Sequence, residues 1–302
     1  MNTAFTQIGP DVFSLQGEKH GYHRMLQAIT HGDETLGFTI LSELMTSLMP
    51  CDITGRLDLI FANRKAYEQG GRYIDEDMNR LLTKKSIEHI EGMDASKLSH
   101  EQKRVKELLP YYEGVDYFID LHSTSSPAKP FLYTKFSKQH LDLCNHLDIP
   151  FVVFMSPNFQ TPEREYAFDN YVDRLGGIGA TLEAGCHQDI HLKPLVTKQI
   201  DRFLQYPQGK GNKPNKNQKK IEVFDKYLVK SDQFCFSNQY SNFDFIKSDE
   251  IIGLDHGKSI YFDHDLVLVF PTPNAKTGEA AFELGRYKAT PSYTSQQQGQ
   301  KH

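Results

Sequence analysis

Five short apolar runs, spaced far enough apart for a helix between them, dominate the first two thirds of this chain. RMLQAIT (Arg24–Thr30), RLDLIFAN (Arg56–Asn63), VDYFIDLH (Val115–His122), IPFVVFM (Ile149–Met155) and GIGATLEAG (Gly177–Gly185) each have the length and residue types of a strand. Between the first two, Leu41, Leu44, Met45 and Leu48 share one helical stripe, which Pro50 ends. Glu101–Leu109 and a longer stretch around Leu192–Leu204 are also helical in pattern. Strands alternating with helices predict an α/β architecture with a mostly parallel or mixed sheet.

The alternation stops near residue 206. PQGKGNKPNKNQKK (Pro207–Lys220) carries five lysines and no acid, which predicts a solvated linker. It has no interleaved aromatics for stacking on nucleic acid. Residues 221–289 contain short apolar runs and turns and are expected to form a smaller β-rich domain. Residues 290–302 are expected to be a disordered tail. The expected organisation is therefore a domain over 1–206, a linker over 207–220 and a β-rich domain over 221–289. With 302 residues, 38% of them hydrophobic, the chain has ample core. A net charge of -5 gives no global reason to expect nucleic acid or an anionic membrane as partner. The N-terminus lacks a basic start followed by an apolar block, so neither a signal peptide nor a membrane span is expected. Cys51, Cys144, Cys186 and Cys235 form no Cys-x-x-Cys pair, which suits free thiols in a reducing compartment. A cytoplasmic enzyme is the expectation, with homo-oligomerisation left open.

Chemistry-bearing residues gather at the ends of these runs. In AITHGDETLG, His31 and Glu34 stand three apart where a strand ends and a helix begins, the place where α/β folds put ligands. Thirteen histidines would give roughly one such pair by chance. The plainer reading is a helix start capped by Thr30, with Asp33 and Glu34 facing its positive end. In FIDLHSTSS, period-two alternation puts Asp120 and His122 on one side of a strand, so Asp120 could orient His122 as a ligand. Glu183, in GATLEAG, ends another apolar run among small residues. A carboxylate desolvated there would have a raised pKa, suited to a general base. GGRYIDEDMNR offers Arg72, Asn79 and Arg80 as a clamp for a carboxylate and an oxyanion.

Taken in order, HGDE, GGRYIDEDMNR, DLHSTSS and TLEAG resemble the succinylglutamate desuccinylase/aspartoacylase family, zinc amidohydrolases related to the zinc carboxypeptidases. The resemblance runs from about His31 to Gly185, and more loosely to Phe282. It implies a carboxypeptidase-like three-layer α/β/α domain with a mixed sheet, plus a smaller β-rich C-terminal domain covering part of the substrate cleft. It also implies one Zn2+ per chain, with His31, Glu34 and His122 as ligands. Glu183 would be the general acid/base, and Arg72 would polarise the scissile carbonyl. Asn79 and Arg80 would bind a substrate carboxylate, and Tyr166, reached across a small gap, would contact substrate. The substrate implied is a small acidic N-acyl amino acid, of the N-succinylglutamate or N-acetylaspartate type.

Two positions depart from the aspartoacylase branch. Its substrate-binding Arg is replaced here by Asn170, with Arg164 and Arg174 nearby, and its C-terminal tyrosine by Phe282. QGGRY and DMNR lean toward the desuccinylase branch. Two other readings compete. A zinc carboxypeptidase would cleave blocked dipeptides rather than acyl amino acids, and a non-catalytic metabolite-binding relative would lack a ligand or the base.

Overall fold

The computed structural model describes residues 3–125, 127–159, 166–187, 189–208 and 217–288. Strand alternation within it decides which layer each side chain joins. On β3 (Lys19–Ala28) and β5 (Tyr117–Thr124), Leu26, Ile119 and Leu121 face one cluster while Met25 and Phe118 face the opposite one. The first cluster takes in Ile40, Leu41 and Leu44 of α1 (Thr35–Ser47), Leu141 of α5 (Lys138–His146) and Ile200 and Phe203 of α7 (Lys193–Gln205). The second takes in Ile90 of α3 (Lys84–Gly92), Val105 and Leu108 of α4 (His100–Leu108) and Phe168 and Val172 of α6 (Phe168–Arg174). Helices thus cover both faces of one sheet, the expected α/β/α layering. A further short helix, α2 (Arg64–Gln69), follows β4 (Thr54–Phe61).

Twelve strands of the described residues form that sheet. The remaining ones are β1 (Thr6–Gly9), β2 (Val12–Gln16), β6 (Phe131–Thr134), β7 (Phe151–Met155), β8 (Ile178–Cys186), β9 (Lys219–Leu228), β11 (Phe245–Ile246), β14 (Leu266–Val269) and β15 (Ala280–Lys288). Their order is β1-β2-β4-β3-β5-β8-β6-β7-β9-β15-β14-β11. The centre, β4-β3-β5-β8, is parallel, whereas β6 runs antiparallel to β8, so the sheet is mixed. All five strands expected from the apolar runs are present; β3 begins five residues before its expected start, and every other end lies within two residues of expectation. A separate three-stranded sheet holds β10 (Cys235–Phe236), β12 (Gly253–Asp255) and β13 (Lys258–Ile260).

The β-rich C-terminal region grows directly from the main sheet, because β9 pairs in parallel with β7 from Phe151↔Lys219 onward. β9 begins inside the segment expected to be a linker. Lys219 and Lys220 are strand, and Gln218 is buried, donating to the carbonyls of Cys144 and Ile149 at 3.0 Å. Residues 209–216 of that segment, and the tail expected to be disordered, lie outside the described residues. No helix among the described residues is long and apolar enough to cross a membrane. All four cysteines are free thiols.

α1 approaches the sheet at Gly37. A Cβ there would lie 3.0 Å from the Cβ atoms of both Ala28 and Leu121. Gly37→Leu should push α1 off β3 and β5 and cost about 1–3 kcal/mol or more in urea unfolding. A loss below a few tenths would show that α1 packs elsewhere.

Candidate metal centre and active site

β3, β5 and β8 are adjacent parallel strands, and their C-terminal ends share one edge of the sheet. Past β3 the backbone is sharply constrained. Ile29 sits at φ 50, a left-handed conformation that β-branched residues rarely adopt. At Gly32 a Cβ would lie 2.3 Å from backbone atoms of Ala66 and Tyr67, so the turn closes on α2 only with glycine. The turn delivers Glu34 as the N-cap residue of α1, its N–H donating to His31 O at 3.1 Å.

Glu34 is the hub. Its Oε1 lies 2.7 Å from His31 Nδ1, and its Oε2 lies 2.9 Å from His122 Nδ1 and accepts the Ser123 N–H at 2.9 Å. All three side chains are buried: His31 is 4% exposed, Glu34 3% and His122 5%. Each can offer one ligand atom, and these atoms lie within 4.8 Å of one another. The opposite ring nitrogens face carboxylates, His31 Nε2 at 3.0 Å from Asp77 and His122 Nε2 at 2.9 Å from Asp120. That pairing fixes each ring and leaves both Nδ1 atoms directed at Glu34. Two imidazoles and one carboxylate, backed this way, are the donor set of a catalytic zinc site.

The electrostatics follow from that geometry. Burial alone would raise the Glu34 carboxyl, but the two imidazoles hold it well below its usual range. Burial would lower both histidines, yet Asp120 and Glu34 push His122 well up, and Asp77 and Glu34 raise His31. Asp77 is lowered, since His31 and the nearby arginines outweigh its burial.

Asp120 is itself pinned. Thr30 Oγ1 donates to its carboxylate at 3.0 Å and Gln27 Nε2 at 3.2 Å. This corrects the expectation that Thr30 caps the helix: α1 starts at Thr35, its N-cap residue is Glu34, and no side chain caps its first N–H groups. Thr30 instead ties β3 to β5 beneath the site. The Asp120 to His122 contact is as the alternation implied.

Arg72 reaches the cluster from the loop after α2. Its Nη1 donates to Glu34 Oε1 at 3.3 Å, and its Nη2 lies 3.0 Å from His31 Nε2. Asn79 is buried, with Nδ2 3.4 Å from His122 Nε2 and Oδ1 without a partner. Arg80 donates to Asn79 O at 2.8 Å, and its guanidinium lies 5.8 Å from the Tyr166 ring centroid. The structure thus brings Tyr166 to Arg80.

Glu183 lies directly across from His122 in the β5–β8 register. Its Oε2 is buried with no hydrogen-bond partner. Burial pushes the carboxyl up to about 7; the His122 charge opposes the shift and the Glu34 charge adds to it. A carboxyl that holds or releases a proton near neutral pH suits a general acid/base.

The departures from the aspartoacylase pattern are also placed. Asn170 is turned onto Asp169, donating to it at 2.9 Å. Arg174 donates to Leu82 O and lies over Tyr171. Arg164 is outside the described residues. Phe282 is fully buried in the C-terminal core, its ring 5.3 Å from that of Tyr227, so a hydroxyl there would need a buried partner. Sequence reading missed Asp77, Thr30 and Gln27 as supports. Asp77 stands two residues before Asn79 in DEDMNR and could have been flagged by that position.

Comparison with known proteins places the chain among one family. A family model described as the succinylglutamate desuccinylase/aspartoacylase catalytic domain matches residues 21–206. Succinylglutamate desuccinylase of Pseudomonas syringae pv. tomato is 24% identical over 286 residues, spanning 87% of this chain and 82% of that protein. An N-acyl-aromatic-L-amino acid amidohydrolase (carboxylate-forming) of Xenopus laevis is 30% identical over 203 residues, spanning 60% and 63%. The structure of succinylglutamate desuccinylase from Vibrio parahaemolyticus has the same fold, with a TM-score of 0.73 over 92% of this chain and 86% of that one at 17% identity.

Glu183 makes a prediction about the metal-free protein. Its folded-state pKa of about 7 exceeds the ordinary value of 4.5. Between those two values the native state holds more protons than the unfolded chain, so this group lowers stability as pH rises. Glu183→Gln mimics the protonated acid. Its Tm should exceed that of the unsubstituted protein at pH 8, and the gap should close toward pH 4.5. A gap that is flat with pH would rule out the raised pKa.

Proposed function

Because this chain belongs to the succinylglutamate desuccinylase/aspartoacylase family, we propose that it hydrolyses the amide bond of a small acidic N-acyl amino acid. The products are a carboxylic acid and an amino acid, and the reaction is zinc-dependent. The observation that carries this reading is the juxtaposition of two kinds of group. Two imidazoles and a carboxylate present their ligand atoms together, and a carboxyl that titrates near neutral pH stands opposite one of them in the register. A binding relative has no need to keep such a costly buried carboxyl.

His31, Glu34 and His122 would hold the ion, and their set suits zinc better than a hard oxygen-seeking cation. When bound, zinc supplies Lewis-acid polarisation of the amide carbonyl and acidifies water at its open position. Glu183 takes the proton from the attacking water and later delivers it to the leaving amine nitrogen. Arg72 donates to the carbonyl oxygen as negative charge develops on it. Asn79 and Arg80 hold a substrate carboxylate, with Tyr166 flanking the Arg80 guanidinium. In a chain of net charge -5, that local pair of arginines is what admits an acidic substrate.

The test is a panel of N-acetylaspartate, N-succinylglutamate, related acyl amino acids and blocked dipeptides, with metal analysis and a chelator. Turnover of at least one acyl amino acid should require about one zinc per chain. In Glu183→Gln the metal should stay while turnover falls by about 100-fold or more. Protein free of stoichiometric zinc and inactive on the whole panel would sink the reading; preference for dipeptides would replace it with a carboxypeptidase.

Arg80→Ala should mainly raise KM, since the lost contact is made equally in ground and transition states. A fall in kcat at unchanged KM would place Arg80 on the reacting carbonyl instead.

A further inference from the structure

Arg72 and Arg80 have 43% and 58% of their side chains exposed, so packing does not fix them. Their placement comes from the loop backbone that carries them. Between α2 and α3 that loop holds no regular element beyond the single turn Met78–Arg80. What it rests on is the N-terminus of α4.

The Glu101 side chain, wholly buried at the start of α4, receives three successive backbone N–H groups of the loop. Ile74 donates to Oε1 at 2.7 Å, and Asp75 and Glu76 donate to Oε2 at 3.0 and 3.3 Å. Asn63 Nδ2, from the end of β4, donates to Oε1 at 3.0 Å. Consecutive N–H groups converging on one oxygen-bearing group form a concave anion site, here filled from within the chain. The contacts also run in the other direction. The His100 N–H donates to Asp75 Oδ2 at 2.7 Å, and Ser99 Oγ donates to Glu76 Oε1 at 2.6 Å. α4 is itself locked, because Arg104 donates to the carbonyls of Ala62 and Phe61 at 2.8 and 3.1 Å. The four donors hold the Glu101 carboxyl below its ordinary range against its burial, as expected of a carboxylate kept charged.

We propose that Glu101 is the positioning residue of the substrate loop. Its buried carboxylate, gripped by the N–H groups of residues 74–76, sets where Arg72, Asp77, Asn79 and Arg80 stand. It touches neither metal nor substrate, and the proposal rests on the functional reading above. The physical reason is leverage. Releasing residues 74–76 frees Arg72 on one side and the Asp77–Arg80 turn on the other, and a misplacement of about 1 Å can cost on the order of 100-fold in rate.

The experiment pairs Glu101→Gln with Val105→Ala, a cavity variant one turn along the same helix. Kinetics and hydrogen exchange are measured on the metal-loaded protein. In Glu101→Gln, amide exchange should quicken in residues 72–80 while β5 and β8 keep their protection. KM should rise and kcat fall together, lowering kcat/KM by about 10- to 100-fold. Val105→Ala should lose comparable stability yet keep kcat/KM within about twofold. Unchanged exchange in residues 72–80, or an equal activity loss in Val105→Ala, overturns the proposal. If Glu101→Gln does not fold, the exposed Asp75→Ala decides by the same exchange reading. If the unsubstituted protein turns over no acyl amino acid, the functional reading fails, and exchange alone still tells whether Glu101 orders the loop.

Discussion

One carboxylate held between two buried imidazoles is the constraint on which the rest of this molecule depends. Glu34, His31 and His122 are each at least 95% buried, and charges so placed are costly unless every polar atom is engaged. Here nearly every one is. Glu34 has four partners, and each imidazole has a carboxylate behind it. Those carboxylates are held in turn, Asp120 by Thr30 and Gln27, and Asp77 by arginines and by the Asn79 N–H at 2.9 Å. The sheet edge is therefore organised outward from one acidic side chain. The same arrangement explains why a divalent cation would fit: His31, Glu34 and His122 each offer one ligand atom, and these lie within 4.8 Å of one another.

Against that satisfied cluster stands Glu183, whose Oε2 has no partner. A protein selected for stability alone would neutralise or expose such a group. Its place beside the cluster, with a pKa pushed up to about 7, is what supports the proposed proton-handling role. The two halves of the site thus work by opposite means. In the proposed reading the ligand set is held in place by its hydrogen bonds, and the base keeps an oxygen free to exchange a proton. The arginines belong to a third regime, exposed and reliant on the backbone that carries them.

Much of this was legible in the sequence. The five apolar runs marked the strands because burial on both faces demands uninterrupted hydrophobic residues. Polar residues ending three of those runs marked the site edge, and the period-two relation of Asp120 to His122 survived unchanged. Thr30 was misread because local capping chemistry and a bond across strands demand the same hydroxyl; its partner lies 90 residues away. Lys219 and Lys220 were misread because a lysine-rich run looks solvated, whereas pairing with β7 claimed its last residues for the sheet. Phe282 was visible only as a departure from the tyrosine of the aspartoacylase branch; its burial in the C-terminal core was not.

By itself, then, the sequence determined the periodicities, the α/β class and the residue types that meet at the strand ends, because these follow from local burial and short-range spacing. Only the tertiary structure decided which nitrogen of each imidazole faces Glu34, that Glu183 is left unpaired, and that Glu101 grips the arginine loop. Each of those depends on contacts between segments tens of residues apart. No local propensity encodes them, and only the packed sheet and its helices bring the partners within hydrogen-bonding distance.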